Sequence, residues 1–126
     1  QLTSRSLVVG DARRVAPALL LGASVHDADE AWLAAAAGAD FVVAGHVWPT
    51  DSHPGEPGRG EDFLRALVRA AEGCPVIAIG GITPDRAAAV AAAGAHGVAA
   101  IRGIWFGDAP AAVRRYLSAH DIAALG

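Results

Sequence analysis

The sequence predicts an α/β fold in which helices cover a parallel β-sheet, and three observations support this prediction. Short apolar segments alternate with alanine-rich or amphipathic segments along most of the chain. The apolar segments lack an alternating polar face, which is typical of parallel strands buried on both sides. Two near-repeats, "AAAAGADFVVAG" at 34–45 and "AAAGAHGVAAI" at 91–101, each end a helix at a glycine, turn, and enter a strand.

The apolar segments define four predicted strands, and the segments between and after them define four predicted helices. The strands cover 19–25, 39–45, 74–81 and 95–101. The helices cover 27–38, 61–73, 83–94 and 108–120. Ahead of them, "SLVVGDARRVAP" at 6–17 is interpreted as the remnant of a strand followed by a short helix. Four such units and a partial one fit either a small doubly wound sheet or part of a (β/α)₈ barrel.

Capping residues mark where two of the predicted helices begin. Asp27 precedes the first of them, and Glu30 follows three residues later in the spacing of a capping box. Pro84 takes the first position of the helix after Thr83, where its missing N–H costs nothing. The segment 61–73 places its apolar side chains on one face, which indicates an amphipathic helix packed on the sheet.

The composition limits the classes of function. The 126 residues suit a single domain, 53% of them are hydrophobic, and the net charge of −3 leaves no basic stripe for nucleic acid. All ten basic residues are arginine, which excludes Schiff-base lysine chemistry within this stretch. The single Cys74 forms no internal disulfide and fits a reducing compartment, so a cytoplasmic location is expected. No apolar run reaches the ~18 residues of a membrane span.

The polar and glycine-rich signals gather where the predicted strands end. In strand order they are His26, Gly45-His46, Gly80-Gly81 and Arg102-Gly103. In parallel α/β folds the carboxyl ends of the strands meet at the edge that holds the active site. We therefore expect these residues to surround one pocket.

The two glycine-containing turns are candidate phosphate-binding sites. Gly80 and Gly81 let backbone N–H groups approach a ligand, and a helix N-terminus that favours anions follows at once. Arg102 and Gly103 provide a second turn with a positive charge. The alternative is that Gly80-Gly81 makes only a tight turn.

His46 is the candidate acid/base, because an imidazole transfers protons readily near neutral pH. The alternative is a histidine that only hydrogen-bonds the long loop after the second strand. His26 ends the neighbouring strand and is either a second residue of the same pocket or a helix-entry residue. Trp48 is either a wall of the pocket or an aromatic that simply packs. The spacing of His26, His46 and His53 matches no metal-ligand motif, so neither a metal nor another cofactor is predicted.

Three stretches together resemble the thiamine phosphate synthase/TenI superfamily. They are "LGASVHDADEAWLAAAAGADFVVAGHVWPTDS" at 21–52, "GRG" at 58–60 and "CPVIAIGGITPDRAAAVAAAGAHGVAAIRGIW" at 74–105. The resemblance runs over about residues 5–116 and implies a (β/α)₈ TIM barrel. Residues 1–126 then form the C-terminal part of one barrel domain, roughly from the end of strand 4 through helix 8. Residues 1–2 would be the tail of strand 4.

Within this superfamily the resemblance favours the TenI-like branch. Synthases usually carry Gly-Pro after strand 6, followed by a Thr and a Lys, whereas TenI-type thiazole tautomerases carry Gly-His, as Gly45-His46 does here. The resemblance then implies an isomerase of thiamine biosynthesis that aromatises a carboxythiazole phosphate. His46, with His26 nearby, would transfer the proton. Thr50 and Trp48 would lie near the thiazole ring.

The same resemblance assigns the phosphate of the substrate to Gly80, Gly81 and the Arg102-Gly103 turn. The sequence departs from the family at two positions, where a loop Lys is His53 and the usual Ser after strand 8 is Arg102. Two alternatives stay open: a thiamine phosphate synthase, which is a transferase, and a non-catalytic protein that binds a thiazole or thiamine phosphate. In synthases the preceding half of the barrel supplies much of the pyrimidine and Mg²⁺ site.

The expected partner is a small-molecule thiazole phosphate, with neither nucleic acid nor a membrane. Half a barrel leaves two open sheet edges, which are exposed to unwanted pairing. We therefore expect either a homo-oligomer or a further N-terminal segment that completes the barrel; the first residue of the sequence is not expected to be the native start.

Overall fold

The computed structural model describes residues 1–125, and the side chains of residues 1–121. Its strands are β1 (Gly22–Val25), β2 (Phe41–Ala44), β3 (Val76–Ile79) and β4 (Gly97–Ala99). Its helices are α1 (Val9–Val15), α2 (Ala28–Ala36), α3 (Gly60–Ala70), α4 (Pro84–Ala92), α5 (Arg102–Trp105) and α6 (Ala109–Leu125). The predicted alternation of strands and helices is therefore confirmed.

The four strands form one parallel sheet in the order β1-β2-β3-β4. Each strand lies beside the one before it, and the order never reverses within the sheet. A doubly wound sheet has a point of reversal, whereas a barrel adds its strands in one direction. The sequence pattern left two interpretations open, a doubly wound sheet and part of a barrel. The observed strand order agrees with the barrel.

The sheet continues beyond β1. Leu2 forms an isolated parallel bridge with Ala23, in which its N–H donates to the Gly22 carbonyl at 2.7 Å and its carbonyl accepts from Ser24 N–H at 2.9 Å. Leu2 thus lies beside β1, where the resemblance places the tail of a further strand. The chain is part of a (β/α)₈ barrel.

Two details of the prediction are wrong. The opening segment contains no strand remnant at 6–8, because the chain turns after Leu2, where Ser6 N–H donates to the Thr3 carbonyl, and then enters α1. The first strand begins at Gly22 rather than at residue 19, since Leu19 and Leu20 lie exposed outside the sheet.

The core lies between the sheet and the helices. The largest side chains at its centre are Val25, Val42, Val47, Leu64, Leu67 and Val90. The α3 side chains in that list come from the apolar face predicted for 61–73. The cap of α2 forms as predicted, because Asp27 accepts a hydrogen bond from Glu30 N–H at 2.8 Å. In a complete capping box the Glu30 carboxylate would accept a hydrogen bond from Asp27 N–H. Here it accepts one from His26 N–H instead.

Large apolar side chains are exposed at both ends of the sheet. Before β1 they are Leu7, Val8, Val15, Leu19 and Leu20, and after β4 they are Ile101, Trp105, Phe106, Val113 and Leu117. Part of a barrel has two open sheet edges. That a second copy of the chain or a further N-terminal segment covers them stays a prediction. Among residues 1–125, no helix combines the length and apolar character that crossing a bilayer requires.

Candidate functional site

A cavity of about 570 Å³ opens at the carboxyl ends of the strands. The residues that follow all four strands line it, among them His26, His46, Gly80, Gly81, Arg102 and Gly103. Its volume lies within the usual range of small-molecule sites, about 300–1,000 Å³. The structure thus brings to one place the residues that the sequence analysis grouped by their position after the strands.

Gly80 and Gly81 pack directly against the loop that follows β2. Both have positive φ angles, +103° and +62°. A Cβ on Gly80 would overlap His46, and a Cβ on Gly81 would overlap the Pro49 carbonyl oxygen. Trp48 N–H also donates to the Gly80 carbonyl at 3.0 Å. The two glycines therefore fix the position of the loop as well as leaving a turn without side chains.

The N-terminus of α4 forms the next part of the wall. Ile82, Thr83 and Arg86 line the cavity there, and α4 runs for nine residues from Pro84. The first N–H groups of a helix lack acceptors within the helix and lie at the positive end of its dipole. This part of the wall is thus suited to an anion.

The turn after β4 provides the predicted positive charge but only a very short helix. The α5 helix is a single turn of four residues, so its dipole adds little. Its contribution is the side chain of Arg102, which forms an ion pair with Asp51 of the loop at 2.7 Å.

Gly103 has a structural role that the sequence did not reveal. A Cβ there would overlap the Tyr116 hydroxyl, which itself donates to the Ile82 carbonyl at 2.7 Å. Burial raises the pKa of the Tyr116 phenol, so it keeps this proton at neutral pH. Gly103 is therefore needed for α6 to pack beneath the turn that carries Ile82.

The charged side chains that line the cavity are three arginines and two carboxylates: Arg59, Arg86, Arg102, Asp51 and Glu56. Arg59 and Arg86 were not predicted as site residues, because the first lies in a long loop and the second inside α4. Arg86 donates to the Gly81 carbonyl at 2.6 Å. The excess of positive charge favours an anionic ligand.

His46 is buried with 7% of its surface exposed, and its ring contacts the long loop. Its Nε2 lies 3.1 Å from the Pro57 carbonyl oxygen, which can only accept, so Nε2 carries the proton here. The ring also stacks on His53, with centroids 4.4 Å apart and an angle of 14° between the planes. Nε2 lies 3.9 Å from the Glu56 carboxylate.

His26 lines the same cavity but is exposed. Its Nδ1 lies 3.1 Å from the Glu30 carboxylate, and its carbonyl accepts from the Arg59 guanidinium. Thr50 also lines the cavity. Trp48 does not belong to the lining; it packs against the core, with the Arg86 guanidinium 5.2 Å from its ring centroid.

The comparisons with known proteins point to one family. The family model of thiamine monophosphate synthases matches residues 1–104. A thiamine biosynthesis bifunctional protein ThiM/ThiE of Symbiobacterium thermophilum is 45% identical over 117 residues, 90% of this chain and 24% of that protein. A thiamine-phosphate synthase of Geobacillus kaustophilus is 40% identical over 112 residues, 86% of this chain and 51% of that protein.

One solved structure agrees with this family. A thiamine phosphate pyrophosphorylase from Pyrococcus furiosus superimposes with a TM-score of 0.86 at 34% identity, covering 100% of this chain and 60% of that one. The chain thus spans between about a quarter and three fifths of the length of the proteins it matches.

These matches contradict the expected thiazole tautomerase. The relatives that match at 37% and 40% identity are named thiamine-phosphate synthase, and the one at 45% is named a thiamine biosynthesis bifunctional protein, although the chain carries Gly45-His46. One dipeptide after β2 therefore did not discriminate between the two branches. The transferase alternative fits the comparisons better than the isomerase.

Proposed function

The chain belongs to the thiamine monophosphate synthase family, and we propose that the protein is a thiamine-phosphate synthase of which this chain supplies the phosphate-binding part. Such a transferase joins a thiazole phosphate to a pyrimidine carried on a diphosphate, and the diphosphate leaves. The observation that carries this proposal is the similarity of almost the whole chain to proteins named thiamine-phosphate synthase.

The wall formed by the β3 turn and α4 supports a site for the thiazole phosphate. Gly80 and Gly81 leave no side chain between the backbone and a ligand, and the α4 N-terminus lies directly beyond them. Arg102 follows β4, the strand beside β3, lines the same cavity and pairs with Asp51. Because that pair is exposed, it is worth only about 0–1 kcal/mol, and a phosphate can take the guanidinium from it at small cost.

The apolar part of the lining supports a place for the thiazole ring. Val43 and Ile79 lie on neighbouring strands, and Ile82 follows the glycine turn. Together they offer an apolar surface next to the proposed phosphate site. A ring attached to a bound phosphate can therefore rest on the strand ends, with Thr50 on the loop above it.

The Mg²⁺ ion that the family resemblance implies does not fit the described residues. Mg²⁺ takes oxygen ligands in octahedral geometry. Among the described residues only two carboxylates, Asp51 and Glu56, line the cavity, and Glu56 lies beside the nitrogen donors of His46 and His53. No step of the proposed reaction is assigned to that ion within residues 1–125.

The test is a product assay on the whole protein. Thiazole phosphate and pyrimidine diphosphate are supplied together, and thiamine phosphate is measured after conversion to its fluorescent oxidation product. We expect thiamine phosphate and diphosphate in equal amounts. Tight binding of the thiazole phosphate without turnover would favour the non-catalytic alternative instead.

A matched pair of variants tests the phosphate site within the same assay. Gly81→Asp places a carboxylate beside the α4 N-terminus and should raise the KM for thiazole phosphate at least about tenfold, since a like charge meets the phosphate and the new Cβ overlaps the Pro49 carbonyl oxygen. Gly55→Asp introduces the same charge at another positive φ, +76°, in open space on the loop. An equal change in KM for both variants would place the phosphate elsewhere.

A further inference from the structure

Three potential metal ligands meet in the loop after β2. His46, His53 and Glu56 each offer one ligand atom, and these atoms lie within 4.8 Å of one another. The three histidines weighed from the sequence were His26, His46 and His53, and the structure places Glu56 with the last two in place of His26. In the sequence, the two histidines are seven residues apart and the glutamate follows three residues later. This spacing is the sequence signal from which the cluster could have been predicted.

The donors select the class of ion. Two imidazole nitrogens and one carboxylate oxygen suit Zn²⁺ and neighbouring divalent transition metals, whereas Mg²⁺ and Ca²⁺ require oxygen ligands. Zinc sites with three protein ligands keep a further position open for water or a substrate atom. All three residues line the cavity, so that position would open into it.

The arrangement has one fixed ligand and two mobile ones. His46 is buried, and the backbone of Gly80 packs against its Cβ. His53 and Glu56 are exposed. Zn–N bonds of ~2.0–2.1 Å require ligand atoms ~3.3 Å apart in a tetrahedron, so the distances between the ligand atoms have to shorten by up to about 1.5 Å.

The stacked rings also have to splay, because a ring nitrogen binds metal in the plane of its own ring. His53 can make that change by side-chain rotation, since nothing buries it. On the His46 side, the proton moves from Nε2 to Nδ1, and the hydrogen bond to the Pro57 carbonyl is exchanged for a bond to the metal.

We propose that His46, His53 and Glu56 form a binding site for a divalent transition metal of the Zn²⁺ class at the mouth of the cavity. The proposal stands apart from the proposed function, because metal binding is measured without substrate and without turnover. It replaces the expectation of no metal, which rested on the spacing of His26, His46 and His53 in the sequence.

The test titrates the whole protein, purified without an affinity tag and stripped with a chelator, with Co²⁺. Bound Co²⁺ of low coordination number gives visible absorption bands, and Zn²⁺ added afterwards should displace it in equimolar amount. Calorimetry then measures the Zn²⁺ affinity of His53→Asn and Glu56→Gln, whose exposed positions leave the core intact. His96→Asn is the matched control, since His96 is an exposed histidine outside the cavity lining.

We expect one Co²⁺ per chain, and a loss of Zn²⁺ affinity of at least about tenfold in each ligand variant, with none in His96→Asn. Removal of a ligand should cost no less than the 10–100-fold that loss of an outer-shell partner costs. Failure of the unaltered protein to bind one equivalent would overturn the proposal. So would full affinity in either His53→Asn or Glu56→Gln, because the site needs all three ligands.

Discussion

Replacing Gly81 with alanine should destabilise the protein more than the same change at Gly55. Both glycines have positive φ angles, +62° and +76°, so both substitutions carry a backbone strain of about 1–2 kcal/mol. Only at Gly81 does the new Cβ meet other atoms: it would overlap the Pro49 carbonyl oxygen and lie 2.9 Å from the Trp48 Cβ. Overpacking of this kind costs about 1–3 kcal/mol more.

The difference between the two variants therefore isolates the contact between the β3 turn and the long loop. Urea unfolding, monitored by tryptophan fluorescence, measures both. With a slope of about 2 kcal/mol per M, we expect the midpoint of Gly81→Ala to lie roughly 0.5–1.5 M below that of Gly55→Ala. The thermal protection given by inorganic phosphate should also weaken only in Gly81→Ala. Equal midpoints would refute the argument, because strain alone would then account for both losses.

Two further predictions concern packing and pH. Gly103→Ala should lower the free energy of unfolding by about 1–3 kcal/mol, because the new Cβ overlaps the Tyr116 hydroxyl. Adding Tyr116→Phe removes that hydroxyl and should recover part of the loss in a double-mutant cycle. Strictly additive effects of the two substitutions on the free energy of unfolding would contradict the contact. The pKa of Asp40 is lowered first by the hydrogen bond from Leu21 N–H and then by Arg13. A lowered pKa stabilises the fold above the unfolded value of about 3.9 and ceases to do so as the pH falls through the folded value. The difference in stability between the unaltered protein and Asp40→Asn, followed by urea unfolding, should therefore shrink below about pH 4, and a constant difference would show that the charge contributes nothing.

The sequence predicted the features that depend on local pattern. Hydrophobic patterning predicted the apolar strands, and capping chemistry predicted the Asp27 cap. The glycines after β3 are a turn signal of the same local kind. All three depend only on residues that are neighbours in the sequence. The position of the cavity followed from one rule, that functional residues gather at the carboxyl ends of parallel strands.

Contacts between distant residues could not be predicted in this way. Nothing near Gly103 in the sequence indicates the Tyr116 hydroxyl, because α6 reaches it only through the tertiary fold. The stack of His46 on His53 depends on how a long loop folds back over a strand end.

The choice between two related activities failed for a related reason. It rested chiefly on Gly45-His46, with the segments "SVH" and "GRG" and the replacement of the family's loop Lys by His53 beside it. The structure shows that His46 is buried and hydrogen-bonded to the loop. A residue type at one position is weak evidence for a role, since a buried imidazole and a catalytic one look the same in a sequence.

The most direct test of the account is a crystal structure of the whole protein with thiazole phosphate bound. We predict the phosphate beside the Gly80-Gly81 turn, within hydrogen-bond distance of N–H groups at the α4 N-terminus, with the thiazole ring on the strand ends. The Arg102 guanidinium should have left Asp51 to contact the phosphate. A phosphate bound elsewhere, with the turn after β3 free of ligand and the Arg102–Asp51 pair intact, would contradict the central claim.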